Sequence, residues 1–247
     1  MKLRIVWSNA GSMRSRCAGR CVVRTFRLAS CERWFPFKES FSPLLVRALL
    51  SACGCEDGVV LDPFAGAGTA LFAARAMGLD AEGIELLPPG CEIIRARAIR
   101  SERLDSDSVR RLRMWIATKP WRTSSDRIAP RVMRITRGAY PAPTRDAIER
   151  YLGACQHERD VVQTALRFAL LCILESVSFA RRDGQYLRWD YRSGRARGTH
   201  RFNKGAIPTF DRAICAKINE LIDDVVHGQT SMFSKDRCAC IPARAST

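Results

Sequence analysis

Apolar positions change their period several times along the 247-residue chain, and each change marks an element. A continuous run, Val59-Val60-Leu61, ends at Asp62 and gives way to a turn of small residues, Ala65-Gly66-Ala67-Gly68. Helical spacing follows from Thr69 through Met77 and stops at Gly78; a second short run, Ala81 to Ile84, ends at Glu85. The order strand, glycine turn, helix, strand is that of a parallel sheet. Upstream, Phe41 to Ala52 reads as a helix with Ser42 as N-cap and Pro43 at its first position, its apolar residues docking it beside the Asp62 turn. Downstream, Pro88-Pro89-Gly90 closes the unit, and Cys91 to Thr118 reads as one long helix, apolar first and then studded with arginines.

The second half has a different texture. Lys119 to Pro143 reads as a connector with one strand-like run, Val132 to Ile135. Thr144 to Cys155 is amphipathic at helical spacing, and Val161 to Ala180 reads as a buried helix, since Gln163, Arg167 and Glu175 interrupt it too often for a membrane span. Asp183-Gly184 opens a turn into a stretch where aromatic and Arg residues interleave, Tyr186, Arg188, Trp189, Tyr191 and Arg192, with Arg195 and Arg197 beyond Ser193-Gly194. Such interleaving suits stacking on bases and gripping phosphates, while a plain surface hairpin is the competing reading. Phe210, Ile214, Ile218, Leu221, Ile222 and Val225 mark a final helix over Thr209 to Val226.

Charge adds a partner to this picture. The formal charge is +16, and Arg far outnumbers Lys, which suits forked phosphate contacts and a polyanionic partner. The eleven cysteines are odd in number and irregularly spaced, as expected of reduced thiols in a cytosol. Cys17, Cys21 and Cys31 have no nearby histidine to complete a zinc set, so no metal site is expected. The N-terminus is basic without an apolar core, so no signal peptide is read, and the expectation is a soluble, cytoplasmic protein.

The glycine turn sharpens the chemistry. Two glycines between strand and helix let the backbone approach a ligand, and an acid about 20 residues on is where such folds hold ribose hydroxyls. A third glycine of the dinucleotide pattern would fall at Leu71, and a carboxylate at Asp62 repels pyrophosphate but attracts a cation. An NAD-dependent oxidoreductase is therefore the weakest reading, and a positively charged cofactor fits better. Asp62-Pro63-Phe64-Ala65-Gly66-Ala67-Gly68-Thr69 resembles the S-adenosylmethionine motif of DNA amino-methyltransferases, which methylate cytosine N4 or adenine N6; Trp34 to Pro43 and the apolar Leu44 to Leu50 resemble the segment these enzymes pack on the methionine end. The resemblance covers roughly residues 34 to 90. It implies an α/β fold, a partial, Rossmann-like class I methyltransferase domain with an incomplete parallel sheet, followed by a largely helical basic half. It also implies S-adenosylmethionine as cofactor and DNA as partner, with Phe37, Ser40, Phe41, Ser42, Asp62, Pro63, Phe64, Ala65, Gly66, Gly68, Thr69, Glu85 and Leu86 around the cofactor.

Within that family a strand end of Asp, Asn or Ser, then Pro-Pro, then an aromatic receives the amino group. The chain's one Pro-Pro, Pro88-Pro89, lies between Leu87 and Gly90 and does not match. The expectation is a cofactor-binding half, truncated, frame-broken or completed by a second polypeptide, with no catalytic residue assigned. The expected organisation is a disordered basic arm (1–32), the cofactor unit (33–100), a basic helix and connector (101–143), a helical region with the aromatic hairpin (144–228) and a disordered tail (229–247). A non-catalytic partner that binds S-adenosylmethionine and nucleic acid, and an RNA methyltransferase, are the other readings.

Overall fold

The structure is a computed structural model that describes residues 35, 41–102, 104–183, 186–195 and 201–228. The arm, the tail, Phe37, Ser40, Arg197 and the Cys17, Cys21, Cys31 set lie outside the described residues. The described chain divides into two compact units between residues 94 and 95.

The first unit begins with α1 (Pro43–Ala52), whose N-cap Ser42 accepts a hydrogen bond from the Leu44 N–H at 3.3 Å. Then come β1 (Val59–Asp62), α2 (Thr69–Arg75) and β2 (Asp80–Gly83). β1 and β2 pair in parallel, Val59 opposite Asp80 through Asp62 opposite Gly83. A core of Ala65, Leu71, Ala74, Leu79, Ala81 and Ile94 fills the space between α2 and the strands, and Leu50 of α1 packs against it. Gly83 is required there, since a Cβ would lie 2.7 Å from Leu71 Cδ1.

Two elements differ from expectation. Pro88-Pro89 does not close the unit but opens α3 (Pro88–Glu102), because a proline in the first helical turn gives up only an N–H that has no intrahelical partner. The single helix expected over Cys91 to Thr118 is two: the Leu104 N–H bonds to Ile99 O at 3.1 Å and ends α3, and Asp105 accepts from the Ser108 N–H at 2.8 Å to start α4 (Ser106–Thr118).

The second unit is mainly helical. With α4 it holds α5 (Ala142–Cys155), α6 (Asp160–Ile173) and α7 (Phe210–Gly228). Helix α6 is shorter than the expected run to Ala180, whose last residue instead opens a hairpin of β3 (Ala180–Asp183) and β4 (Tyr186–Trp189). The Val132 to Ile135 run is no strand; Arg134–Thr136 forms a 3₁₀ turn. An aromatic cluster holds the helices together. Tyr151 meets Trp115 edge-on at 5.3 Å, Trp121 at 5.5 Å and Phe210 at 5.5 Å between ring centroids. Each buried polar tip finds an acceptor: Trp115 Nε1 donates to Glu158 at 2.7 Å, Trp121 Nε1 to Asp211 at 2.8 Å and Tyr151 Oη to Leu166 O at 3.0 Å. Among the described residues no helix is long and apolar enough to cross a membrane.

Candidate functional site

Parallel pairing of β1 and β2 brings Asp62, the last residue of β1, and Glu85, two residues beyond β2, to the same end of the sheet. The ladder runs on past the strands, with the Ile84 N–H on Asp62 O at 2.9 Å and the Ala65 N–H on Ile84 O at 3.0 Å. Between the strands, Gly66 and Gly68 take positive φ, 53° and 77°, which only glycine adopts without strain. Gly68 is the N-cap of α2, so Thr69 enters the helix buried behind the turn.

Each acid is tethered by one oxygen to its own turn. Asp62 Oδ1 accepts from the Phe64 N–H at 3.0 Å, and Glu85 Oε1 from the Leu87 N–H at 2.6 Å. The second oxygen of each has no partner among the described residues, and neither acid forms an ion pair there. A large apolar side chain follows each acid and stands in solvent, Phe64 at 88% exposure and Leu86 at 79%. The site thus offers, among the described residues, two unpartnered carboxylate oxygens and two apolar plates to a ligand.

Gly90 is a site residue that the motif reading missed. A Cβ there would lie 2.7 Å from Glu85 Cδ and 2.8 Å from Gly66 O, so the first turn of α3 closes on the second acid and the glycine turn together. The available signal was a glycine directly after two prolines that can start a helix. Pro63 and Phe64 form the exposed corner of the β1 turn, while Ala65 is buried beneath it. Phe41 and Ser42 sit exposed just ahead of α1.

The residues expected on nucleic acid separate into two sets. Arg192 is committed internally, its fork on Asp190 at 2.7 and 2.8 Å and a further bond to Gly205 O at 2.7 Å. Arg195 lies over the half-buried Trp189 ring at 4.3 Å and donates to Ile135 O at 3.2 Å and Arg137 O at 2.9 Å. Tyr191 carries the Arg192 guanidinium over its ring at 5.7 Å. Arg188 pairs with Asp183 at 3.0 Å but remains exposed, and Tyr186 projects freely at 78% exposure.

A glycine turn leading from β1 into α2, with one acid at the end of β1 and another two residues past the parallel β2, is the local arrangement found at the strand ends of α/β proteins. Residues 6–96 match the family described as DNA methylase, a match that begins within the stretch read as a basic arm. The type II methyltransferases M.AvaI of Nostoc sp. and of Anabaena variabilis are each 47% identical over 193 residues, covering 78% of this chain and 40% of their own. Type II methyltransferase M.BsoBI of Geobacillus stearothermophilus is 28% identical over 214 residues, covering 79% of this chain and 41% of its own. The chain therefore spans about 40% of the length of these curated relatives. No solved structure matches it. The matches bear out the resemblance to DNA amino-methyltransferases drawn from the Asp62 turn.

Proposed function

We propose that the first unit binds S-adenosylmethionine for the methylation of an exocyclic amino group, on adenine N6 or cytosine N4, in DNA. One observation carries this reading: Asp62 ends β1 and Glu85 stands two residues beyond the parallel β2, each with a carboxylate oxygen that has no partner among the described residues, on either side of the glycine turn. Asp62 would attract the cofactor's ammonium group, Glu85 would accept from its ribose hydroxyls, and Phe64 and Leu86 would cover its apolar parts. The bound cofactor supplies an electrophilic methyl group. This chain's residues hold the donor and leave the receiving base to another element.

That element is proposed to be a strand beside β1, from outside the described residues or from a second polypeptide. Val59 and Leu61 are 56% and 54% exposed, an open apolar face unusual for a parallel strand. Pro88-Pro89 is engaged in the first turn of α3 and does not receive the base. Because the relatives are named as type II methyltransferases, the proposed setting is site-specific methylation of the restriction-modification kind.

Isothermal titration of the chain with S-adenosylmethionine tests the reading. Saturable binding is expected, weakened about 10- to 100-fold by Asp62→Ala, as for loss of a charged hydrogen bond. Gly90→Ala is expected to weaken it about tenfold by displacing Glu85. Absence of binding, or an Asp62→Ala variant equal to the parent, would refute it.

A further inference from the structure

The second unit carries a surface that its own packing does not use. Ala180 and Trp189, facing each other at the base of the β3–β4 hairpin, are buried and half-buried. Beyond them every described residue, Arg181 to Asp183 and Tyr186 to Arg188, is exposed. The register sets Arg181 directly opposite Arg188. Like charges so placed repel; among the described residues Arg188 is offset by an ion pair with Asp183 and by the Phe202 ring, 5.6 Å from its guanidinium, while Arg181 has no such partner. A fold gains nothing from this pairing by itself; a polyanion would neutralise it.

Beside the hairpin base runs the 131–137 loop. The Phe179 N–H bonds to Ala139 O at 2.6 Å, and Arg195, stacked on Trp189, draws in the carbonyls of Ile135 and Arg137. With the backbone oxygens turned inward, the side chains of Arg134 and Arg137 stand exposed, and neither has an ion pair among the described residues. Arg195 thus spends its guanidinium on holding one basic arm against the foot of another.

We infer that the outer residues of the hairpin strands, Arg181 to Asp183 and Tyr186 to Arg188, and the 131–137 loop, locked together by Arg195, form a two-armed grip on duplex DNA, the hairpin entering a groove and the loop resting on flanking phosphates. This rests on the DNA reading proposed above. Three residues per strand beyond the base reach about 10 Å. The major groove is about 8.5 Å deep and admits a two-stranded ribbon. Arg181 and Arg188 on one hairpin face contact phosphates; Tyr186 at the start of β4 reaches the bases. Arg195 is a positioning residue.

The test is fluorescence anisotropy of the full chain on a short DNA duplex across a salt series, with S-adenosylmethionine titration of the same samples. Arg181→Ala combined with Arg134→Ala should reduce the slope of log K against log salt by about 2. Both side chains are exposed and unpaired, so the fold is kept, and cofactor binding should not change. Arg113→Ala, on the exposed side of α4, should leave the slope as it was. Arg195→Lys, which keeps the charge but not the planar guanidinium stacked on Trp189, should lose as much affinity as Arg195→Ala; rescue by lysine would overturn the positioning role. An unchanged slope in the Arg181, Arg134 variant, or a slope lowered by Arg113→Ala in its place, would overturn the surface, as would tighter binding to an RNA duplex. A chain that binds S-adenosylmethionine but no DNA would refute this inference and leave the cofactor reading intact; a chain that binds neither would refute both.

Discussion

Asp190 carries more of the second unit than its place in an aromatic, Arg-rich stretch suggests. It is fully buried, and it accepts from Arg192 through the side-chain fork and the backbone N–H, and from the Lys204 N–H at 2.7 Å. Lys204 in turn donates its ammonium to Ser178 O at 2.8 Å and Ala180 O at 2.9 Å, tying the irregular segment before α7 to the hairpin. The Arg192 guanidinium, helped by these backbone N–H groups, holds the Asp190 carboxyl well below the usual carboxylate range, against the opposing effect of burial. Its folded value is depressed, so its contribution is complete above the unfolded value near pH ~4 and is lost as pH falls from there toward the folded value. Asp190→Asn should destabilise the second unit at pH 7 by about 2 kcal/mol. The loss is moderated because the Arg192 side chain is 35% exposed. Urea melts at a series of pH values should show the parent and variant converging between about pH 4 and pH 2; parallel curves would contradict the assignment.

At the scale of elements, the connector before α5 shows how close packing replaces regular structure. Ile128 N–H bonds to Glu149 O at 3.0 Å, and the chain at Asp126 and Arg127 lies directly on the helix at Gly153. A Cβ on Gly153 would overlap the Asp126 carbonyl and come within 2.9 Å of Arg127 N. Alanine favours a helix over glycine by up to about 1 kcal/mol, but here the clash is with backbone that cannot rotate away. Gly153→Ala should therefore cost about 2–3 kcal/mol, read as a lower midpoint of thermal or urea unfolding. The break between α3 and α4 shows the same contest between local signals and periodicity. The run Asp105-Ser106-Asp107-Ser108 is a capping sequence, and it outweighed the arginine pattern that continued on both sides.

For the molecule as a whole, the first unit has two sides of unlike character. Leu71, on the inner face of α2, is 1% exposed, whereas Leu61, on β1, is 54% exposed. Leu61→Ser should lower the stability of this chain by about 1 kcal/mol, because only about half of the side chain's apolar area leaves water on folding. Leu71→Ala should cost about 3 kcal/mol. The Leu61 variant should also bind less of an apolar dye such as anilinonaphthalene sulfonate. A large loss of stability from Leu61→Ser would mean that the β1 face is already covered.

The sequence alone determined what depends on neighbours along the chain. The β1 acid, the positive-φ glycines, the Ser42 cap and the final helix are local features, written in adjacent residues and in periodicity. The motif at Asp62 was specific enough to point to the methyltransferases whose relatives the chain matches. What only the tertiary structure decided depends on residues far apart. Gly90 joins the candidate site because α3 folds its first turn back onto Glu85, and Arg195 is drawn to the Trp189 ring and, through one guanidinium nitrogen, to the carbonyls of Ile135 and Arg137, about 60 positions away. An arginine's composition and spacing are the same whether its guanidinium faces a phosphate or a carbonyl; the packing of the surrounding elements determines which.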